Sequence, residues 1–400
     1  MRHILVVHHD ADLYGADQSL LRSLRAMRRH NLHPVVVLPH QGPLIQHIVE
    51  MGIEVHIGPV GKISRQLTRP AALPKLLASL VRSVSFIDRV VAGRPIELVY
   101  SNSVGALGGA LWAWRRGVKR LWHVREIVVS PRIAAAGFPR LLRWLGGWCI
   151  CNSGATRQWI ADVQPVLAQR SSVLWNGIER VPQPTRDAVA ALRARLGLTR
   201  EHTVVTLVGR INRWKGQGVF IEAAAQLAQA GQHPQLRFLI VGDVADGQHH
   251  FREDMLARIQ ALGLADTVLW HPFTPEVDTV WAASDIAAAP STDPEPFGRV
   301  AIEAMAHGLP VVAAGHGGLA EIVAHQQTGL LVKPGDATEL AQAIGRLAAS
   351  RELRKQYGAA GQQRQIEFFS QDEHDRRLMS LLDDLAAGRQ PATTPLLTSA

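Results

Sequence analysis

The chain has 400 residues, with 43 Lys and Arg against 34 Asp and Glu and only two cysteines. Such a length allows two or three domains with ample core, and no apolar run nears the ~18 residues that a membrane-spanning helix requires. Cys149 and Cys151 sit two apart on one strand-like run. They cannot easily bridge each other, so a disulfide scaffold is excluded and a reducing, cytoplasmic setting is expected.

The opening run Met1-Arg-His-Ile-Leu-Val-Val-His8 is too short in its apolar part for a signal peptide and reads as a buried first strand at 4–7. Strand-like runs follow at 35–38, 55–57, 98–100, 121–124 and 148–151, separated by helical stretches such as 18–30 and 105–116. Beyond a proline-punctuated linker at 180–185 the rhythm repeats, at 204–208, 238–241, 268–270, 286–289, 311–314 and 330–332. Short apolar strands alternating with helices predict parallel sheets with crossover connections. Two such sets predict an α/β protein of two doubly wound domains, 1–181 and 182–369, with ligands bound past the carboxyl ends of the strands in a cleft between them. A last helical segment, 370–387, follows the second sheet, and 388–400, with two prolines and three threonines, reads as a disordered tail.

Charge is divided unevenly. Up to Val181 there are 23 Lys and Arg against 10 Asp and Glu, a net of +13, whereas the remainder carries −4. A basic first half suggests an anionic partner there. Two basic-apolar stretches, 62–94 with Lys62, Arg65, Arg69, Lys75, Arg82 and Arg89, and 132–148 with Arg140, Arg143, Trp144 and Trp148, fit two accounts. They could lie on an anionic membrane surface with Trp at headgroup level, or pack on a sheet with the arginines in water. Nucleic-acid modules are absent from the pattern, and no nucleic-acid partner is expected.

Two motifs carry the chemistry. Glu295-Pro-Phe-Gly-Arg-Val-Ala-Ile-Glu303 puts one carboxylate on a loop and the other about one turn into the next helix. A helix start offers unpaired N–H groups and a positive dipole end. Carboxylates there can accept from sugar and ribose hydroxyls while cations and backbone donors hold phosphates. Upstream, Val208-Gly-Arg210-Ile-Asn-Arg-Trp-Lys215-Gly216 follows the first strand of the second half, where a planar guanidinium and an ammonium together suit a diphosphate. Near the N-terminus, Asp10-Ala-Asp12 and the triplet His8, His9 and Asp10 could chelate a metal on paper. Polar residues lining a strand end are the blander account, and no metal is expected.

The run from Glu295 to the Gly-Leu-Pro-Val-Val ending at Val312, together with Gly209-Arg210 and Lys215-Gly216, resembles the donor site of the retaining GT4-type glycosyltransferases of group 1, which have the GT-B fold. The resemblance is strong from Asn176 to Asp336 and looser before. It implies a metal-independent enzyme without a cofactor that takes sugar from a nucleotide donor, UDP- or GDP-linked, to a saccharide or lipid-diphosphate-linked acceptor in bacterial surface polysaccharide synthesis. A non-catalytic nucleotide-sugar binder, a phosphorylase or an epimerase would share the fold. By the same resemblance Arg210 and Lys215 clamp the pyrophosphate, Glu303 holds ribose, Glu295 holds the donor sugar, and Phe297, Gly298, Arg299, Gly242 and Asn176 belong to the donor site. The family usually has Gly-Gly after strand one; here Tyr14 stands first, so only Gly15 carries over. An active-site His is expected near His123, although Arg125 occupies the position just before the acidic Glu126, so either residue could fill that role. Asn152-Ser153 and Gly317-Gly318 are further family landmarks, Glu321 and Gly335 read as architectural, and segment 370–387 would cross back onto the first domain. The protein would then be cytoplasmic, or peripheral at the inner face of the cytoplasmic membrane.

Overall fold

A computed structural model describes residues 1–13, 15–63, 73–179, 183–392 and 397. Tyr14, Arg65, Arg69 and Arg180 lie outside the described residues. The chain divides into two compact units. One comprises Met1–Gly177 together with the final helix, Gln371–Ala386, and the other comprises Ile178–Ser370.

The first unit holds seven strands: β1 (Arg2–Val7), β2 (Leu32–Leu38), β3 (Glu54–Ile57), β4 (Ile96–Ser101), β5 (Lys119–Val124), β6 (Trp148–Cys151) and β7 (Ser171–Val173). All are parallel, in the order β3-β2-β1-β4-β5-β6-β7. The second holds β8 (Thr203–Val208), β9 (Leu236–Val241), β10 (Val268–His271), β11 (Ile286–Ala289), β12 (Val311–Ala314) and β13 (Gly329–Val332), also parallel, in the order β10-β9-β8-β11-β12-β13. Each sheet starts in its middle, winds outward one way, then returns to wind the other. This leaves a switch point between β1 and β4 and another between β8 and β11, where diverging crossovers open a crevice at the carboxyl edge.

Every strand expected from the apolar runs is present. β7 was not expected, because Ser171-Ser-Val173 is too short and too polar to register as a strand. Pairing with the buried β6 makes it one. Cys149 and Cys151 alternate onto the same face of β6, where both are buried in the core as free thiols.

Two corrections concern boundaries, one at the join between the units and one at the tail. The units part at Gly177–Ile178, before the proline-punctuated stretch, and Thr185 within that stretch caps the helix Arg186–Arg195 by accepting from the Ala188 N–H at 3.2 Å. The final helix packs Leu378, Met379, Leu381 and Leu382 into the same core as Leu20, Leu24 and Met27 of helix Gly15–Arg29, so it completes the first unit. The tail is ordered at least to Ala392: Pro391 is buried, and the Ala392 carbonyl accepts from Ser172 Oγ at 3.1 Å. Among the described residues no helix is long and apolar enough to cross a membrane.

Candidate functional site

In the second unit the site is built at the β8–β11 switch point. The loop after β8 is folded by Asn212, whose Oδ1 accepts from the backbone N–H groups of Trp214 (3.1 Å) and Lys215 (3.0 Å). Gly216 then turns at φ 84°, with its Cα so near Pro290 that a Cβ would lie 2.0 Å from the Pro290 carbonyl oxygen; only glycine fits. The loop after β11 is tied to the first by the Thr292 N–H donating to the Trp214 carbonyl at 2.8 Å. These ties set Lys215 Nζ 2.8 Å from Glu295 Oε1, with the ammonium 4.8 Å from the Trp214 ring centroid. Ser291 Oγ donates to the same Glu295 oxygen. Both partners of the pair are largely buried, so Coulomb attraction is screened far less than on the surface.

Glu295 is held from behind as well. Its carbonyl accepts from the Gly318 N–H at 2.8 Å, and a Cβ on Gly317 would come within 2.4 Å of that carbonyl oxygen. Gly317-Gly318 therefore forms the floor of the 295–297 loop. Phe297 is buried edge-on to Phe369, with centroids 6.0 Å apart, and so anchors the loop. Gly298 precedes helix Arg299–Ala306, in which Arg299 donates to Glu303 Oε1 through Nε (3.0 Å) and Nη2 (2.9 Å). Both bonds fall on one oxygen, which leaves Oε2 able to accept a hydroxyl. Arg210 is exposed, and its backbone carbonyl accepts from Gln217 Nε2 at 3.0 Å. Gly242, at the end of β9, packs against Gly209, where a Cβ would lie 2.1 Å from the Gly209 carbonyl oxygen. Its place at the site is backbone packing between neighbouring strand ends.

In the first unit a buried polar network occupies the β1–β4 switch point. Arg125 is its hub. Nε donates to Asn102 Oδ1 (3.0 Å), Nη1 to Asn176 Oδ1 (2.9 Å) and Nη2 to His123 Nδ1 (3.0 Å). Asn102 passes the chain on, donating through Nδ2 to His8 Nδ1 at 3.1 Å, and His8 Nε2–H donates to Asp17 Oδ1 at 2.6 Å. Ser19 Oγ also donates to Asn176 Oδ1, at 3.0 Å. From Arg125 through Asn102 to His8 each donor meets an acceptor, which fixes the His8 tautomer and the Asn102 amide orientation.

His123 is fully buried. Its Nδ1 receives both Tyr100 OH and Arg125, so the ring proton sits on Nε2, which has no hydrogen-bond partner among the described residues. Burial first, then the charge of Arg125, holds its pKa well below the usual histidine range. His123 and Arg125 thus belong to one network, the first as a neutral ring and the second as its organiser. Arg125 orders both the residue after β4 and the residue that ends this unit before the crossover at Gly177–Ile178.

The other expected residues fall as follows. Gly15 opens helix Gly15–Arg29, and a Cβ there would meet open space, so packing does not demand glycine. Asp10 accepts from its neighbour Ala11 N–H at 3.0 Å and lies 3.2 Å from His40 Nε2, so it turns away from His8 and its partners. Ser153 is spent as the cap of helix Gly154–Val163, accepting from the Thr156 N–H at 3.0 Å. Sequence reading missed Asp17, Ser19, Tyr100 and Asn102. The available signal was polar residues directly after strand-like runs or one turn into the helix that follows.

A pH prediction arises here. His374, on the final helix, bonds through Nδ1 to the Trp175 carbonyl at 2.7 Å, and burial holds its pKa at about 4. The unfolded chain takes that proton near the ordinary 6.5. Between those values the unfolded state binds more protons, so stability falls as pH falls from about 6.5 toward 4, by up to about 3 kcal/mol from this group. Burial brings His9 to about 4 as well, and it adds to the same window. Urea midpoints should therefore drop between pH 7 and pH 5, and His374→Gln, which keeps a donor for Trp175, should flatten the slope. An unchanged slope in that variant would refute the assignment.

Two parallel doubly wound α/β units in one chain, each with a polar site at its switch point, define the GT-B fold. The model of the family described as glycosyl transferases group 1 matches residues 189–364. The D-inositol 3-phosphate glycosyltransferase of Segniliparus rotundus is 41% identical over 174 residues, which is 43% of this chain and 38% of that protein. The 2-deoxystreptamine glucosyltransferase of Streptomyces kanamyceticus is 38% identical over 264 residues, 64% of this chain and 63% of that one. The chain therefore spans well under half the length of the first of these relatives and somewhat under two thirds of the second. Crystal structures of Anabaena HepE with UDP and with UDP-glucose are 26% identical, cover 96% of this chain and 100% of that one, and superpose with TM-scores of 0.81 and 0.80. Residues 189–364 thus match the glycosyl transferase group 1 family, and the chain as a whole has the GT-B fold.

Proposed function

We propose that the protein is a retaining, metal-independent hexosyltransferase. It moves a sugar from a UDP- or GDP-linked donor to a glycan or lipid-diphosphate-linked saccharide in the synthesis of a bacterial surface polysaccharide. The observation that carries this reading is the Lys215–Glu295 pair, 2.8 Å apart and largely buried, placed beside the start of the helix that bears Glu303. As the bond between the anomeric carbon and the diphosphate breaks, negative charge grows on the departing group, where Lys215 and Arg210 meet it. They supply the positive charge that a metal would otherwise bring. Glu303 Oε2 accepts from ribose, and Glu295 from the donor sugar. The UDP and UDP-glucose complexes of HepE make a uridine nucleotide the first donor to try. A lipid-diphosphate-linked acceptor would place the protein at the inner face of the cytoplasmic membrane.

A thermal-shift screen with UDP-, GDP-, ADP- and dTDP-sugars tests this, repeated on Glu303→Ala. A donor at ~100 times its dissociation constant adds about 2.7 kcal/mol of stability. One base class should stabilise the parent, and the variant should respond less. No shift with any nucleotide sinks the reading. A shift with neither transfer nor donor hydrolysis would leave a nucleotide-sugar-binding protein.

A further inference from the structure

We propose that the helix layer of the first unit formed by Leu73–Val91, Leu107–Arg116 and Arg132–Leu145 is a docking face for an anionic lipid bilayer. The three helices neighbour one another on the sheet, with the middle one shared between two core clusters. The two basic-apolar stretches read from the sequence therefore fall, in their described parts, in one layer.

The outward side of that layer is apolar where a solvated helix would be charged. In helix Arg132–Leu145 the residues Pro139, Leu142 and Leu145 are buried against the sheet. Ile133, Gly137, Arg140 and Trp144 recur at helical spacing on the opposite stripe, and all four are exposed. Ile133 is 83% exposed and Trp144 63%. Trp144 lies beside Trp114 of the middle helix, itself 50% exposed, with ring centroids 5.7 Å apart. The third helix adds Leu77 and Val81, one turn apart and both exposed. Exposed apolar groups this dense mark an interaction surface.

Charge identifies the partner. Residues 98–125 and 127–161 contain no Asp or Glu. Arg132, Arg140 and Arg143 lie on the same helix as Trp144, and none of the three has a carboxylate ion-pair partner among the described residues, whereas Arg115 and Arg116 beside Trp114 face Asp88. Arg140 donates to the Ala136 carbonyl at 2.8 Å and Arg143 to Gln164 Oε1 at 2.9 Å. A surface with tryptophan and aliphatic tips set among unneutralised arginines matches the boundary between acyl chains and anionic headgroups. Nucleic acid would draw on the arginines but has no use for Ile133 or Val81. This inference accords with a lipid-linked acceptor but does not depend on sugar transfer.

Co-sedimentation with vesicles tests it. The protein should pellet with phosphatidylcholine vesicles containing about one third phosphatidylglycerol, stay largely in solution with phosphatidylcholine alone, and dissociate as salt rises. Ile133→Ser with Trp144→Ser, and separately Arg132→Gln, Arg140→Gln and Arg143→Gln together, should each weaken binding by about tenfold or more. All five side chains are exposed, so folding should be kept. Any thermal shift that the parent shows with a nucleotide sugar should persist in both variants, which separates failure here from failure at the donor site. Failure to bind any vesicle, or binding that neither variant alters, overturns the proposal. A parent dimer in solution that the Ile133 and Trp144 changes dissociate would assign the face to a second copy and overturn it too.

Discussion

Lys215→Met is expected to slow transfer by about 100- to 1,000-fold, the usual cost of removing one preorganised donor from a group that gains charge in the transition state. Methionine keeps the length and apolar bulk of the stem, while the ammonium and its cation–π contact with Trp214 are lost. The change also leaves the Glu295 carboxylate buried with Ser291 as its one remaining side-chain donor among the described residues. A lone buried carboxylate is costly, so some loss of stability should accompany the loss of rate. Lys215→Arg should recover part of the rate, because the charge is kept while its point-like geometry is not. Steady-state rates with the donor found by thermal shift, alongside urea unfolding of each variant, separate the two effects. A Lys215→Met rate within threefold of the parent would remove Lys215 from the transition-state account.

The largest stability effect is expected at Arg125. In Arg125→Met three buried acceptors, Asn102 Oδ1, Asn176 Oδ1 and His123 Nδ1, each lose a donor at once. Each lost bond to a charged donor is worth ~1.5–3 kcal/mol, and Ser19 and Tyr100 go on donating to Asn176 and His123, which offsets some of the loss. A net loss of about 3–5 kcal/mol follows, of the size seen when one member of a buried charged network is removed. Arg125→Lys should rescue little, since one ammonium on a flexible stem cannot reproduce a planar fork spanning three acceptors. Urea denaturation decides it. A loss below about 1 kcal/mol would mean that the network is dispensable to folding.

The two units differ in how much of their site could be read from residue order. In the second unit the site is nearly contiguous. Gly209 to Gly216 and Glu295 to Glu303 are short loops fixed by local devices, namely the Asn212 turn, the Gly216 bend and a helix start. Residues close in sequence are then close in space, and their roles could be expected from type and spacing. Even here the floor under Glu295, made by Gly317 and Gly318, comes from a later loop, whose two glycines the resemblance marks without giving them a role.

In the first unit the site gathers single residues from the ends of β1, β4 and β5, from the start of the following helix, and from the crossover at Asn176. Nothing in the order of residues says that Arg125 faces His123, Asn102 and Asn176 together. That depends on which strands become neighbours in the sheet. The question of whether His123 or Arg125 fills one role rested on their linear spacing, and the fold instead places both in one network.

Sequence alone determined the elements. Apolar runs of strand length separated by helical stretches leave parallel doubly wound sheets as the economical way to bury them, and the charge split marked the first half as basic before any coordinates. Tertiary structure decided everything that depends on non-local neighbours. It gathered the buried polar network, and it set two separate basic-apolar segments side by side in one layer. The physical reason is the same in each case. Periodicity reports the face that a segment must bury, whereas the residues that meet across that face are chosen by strand order and packing, which local spacing does not encode.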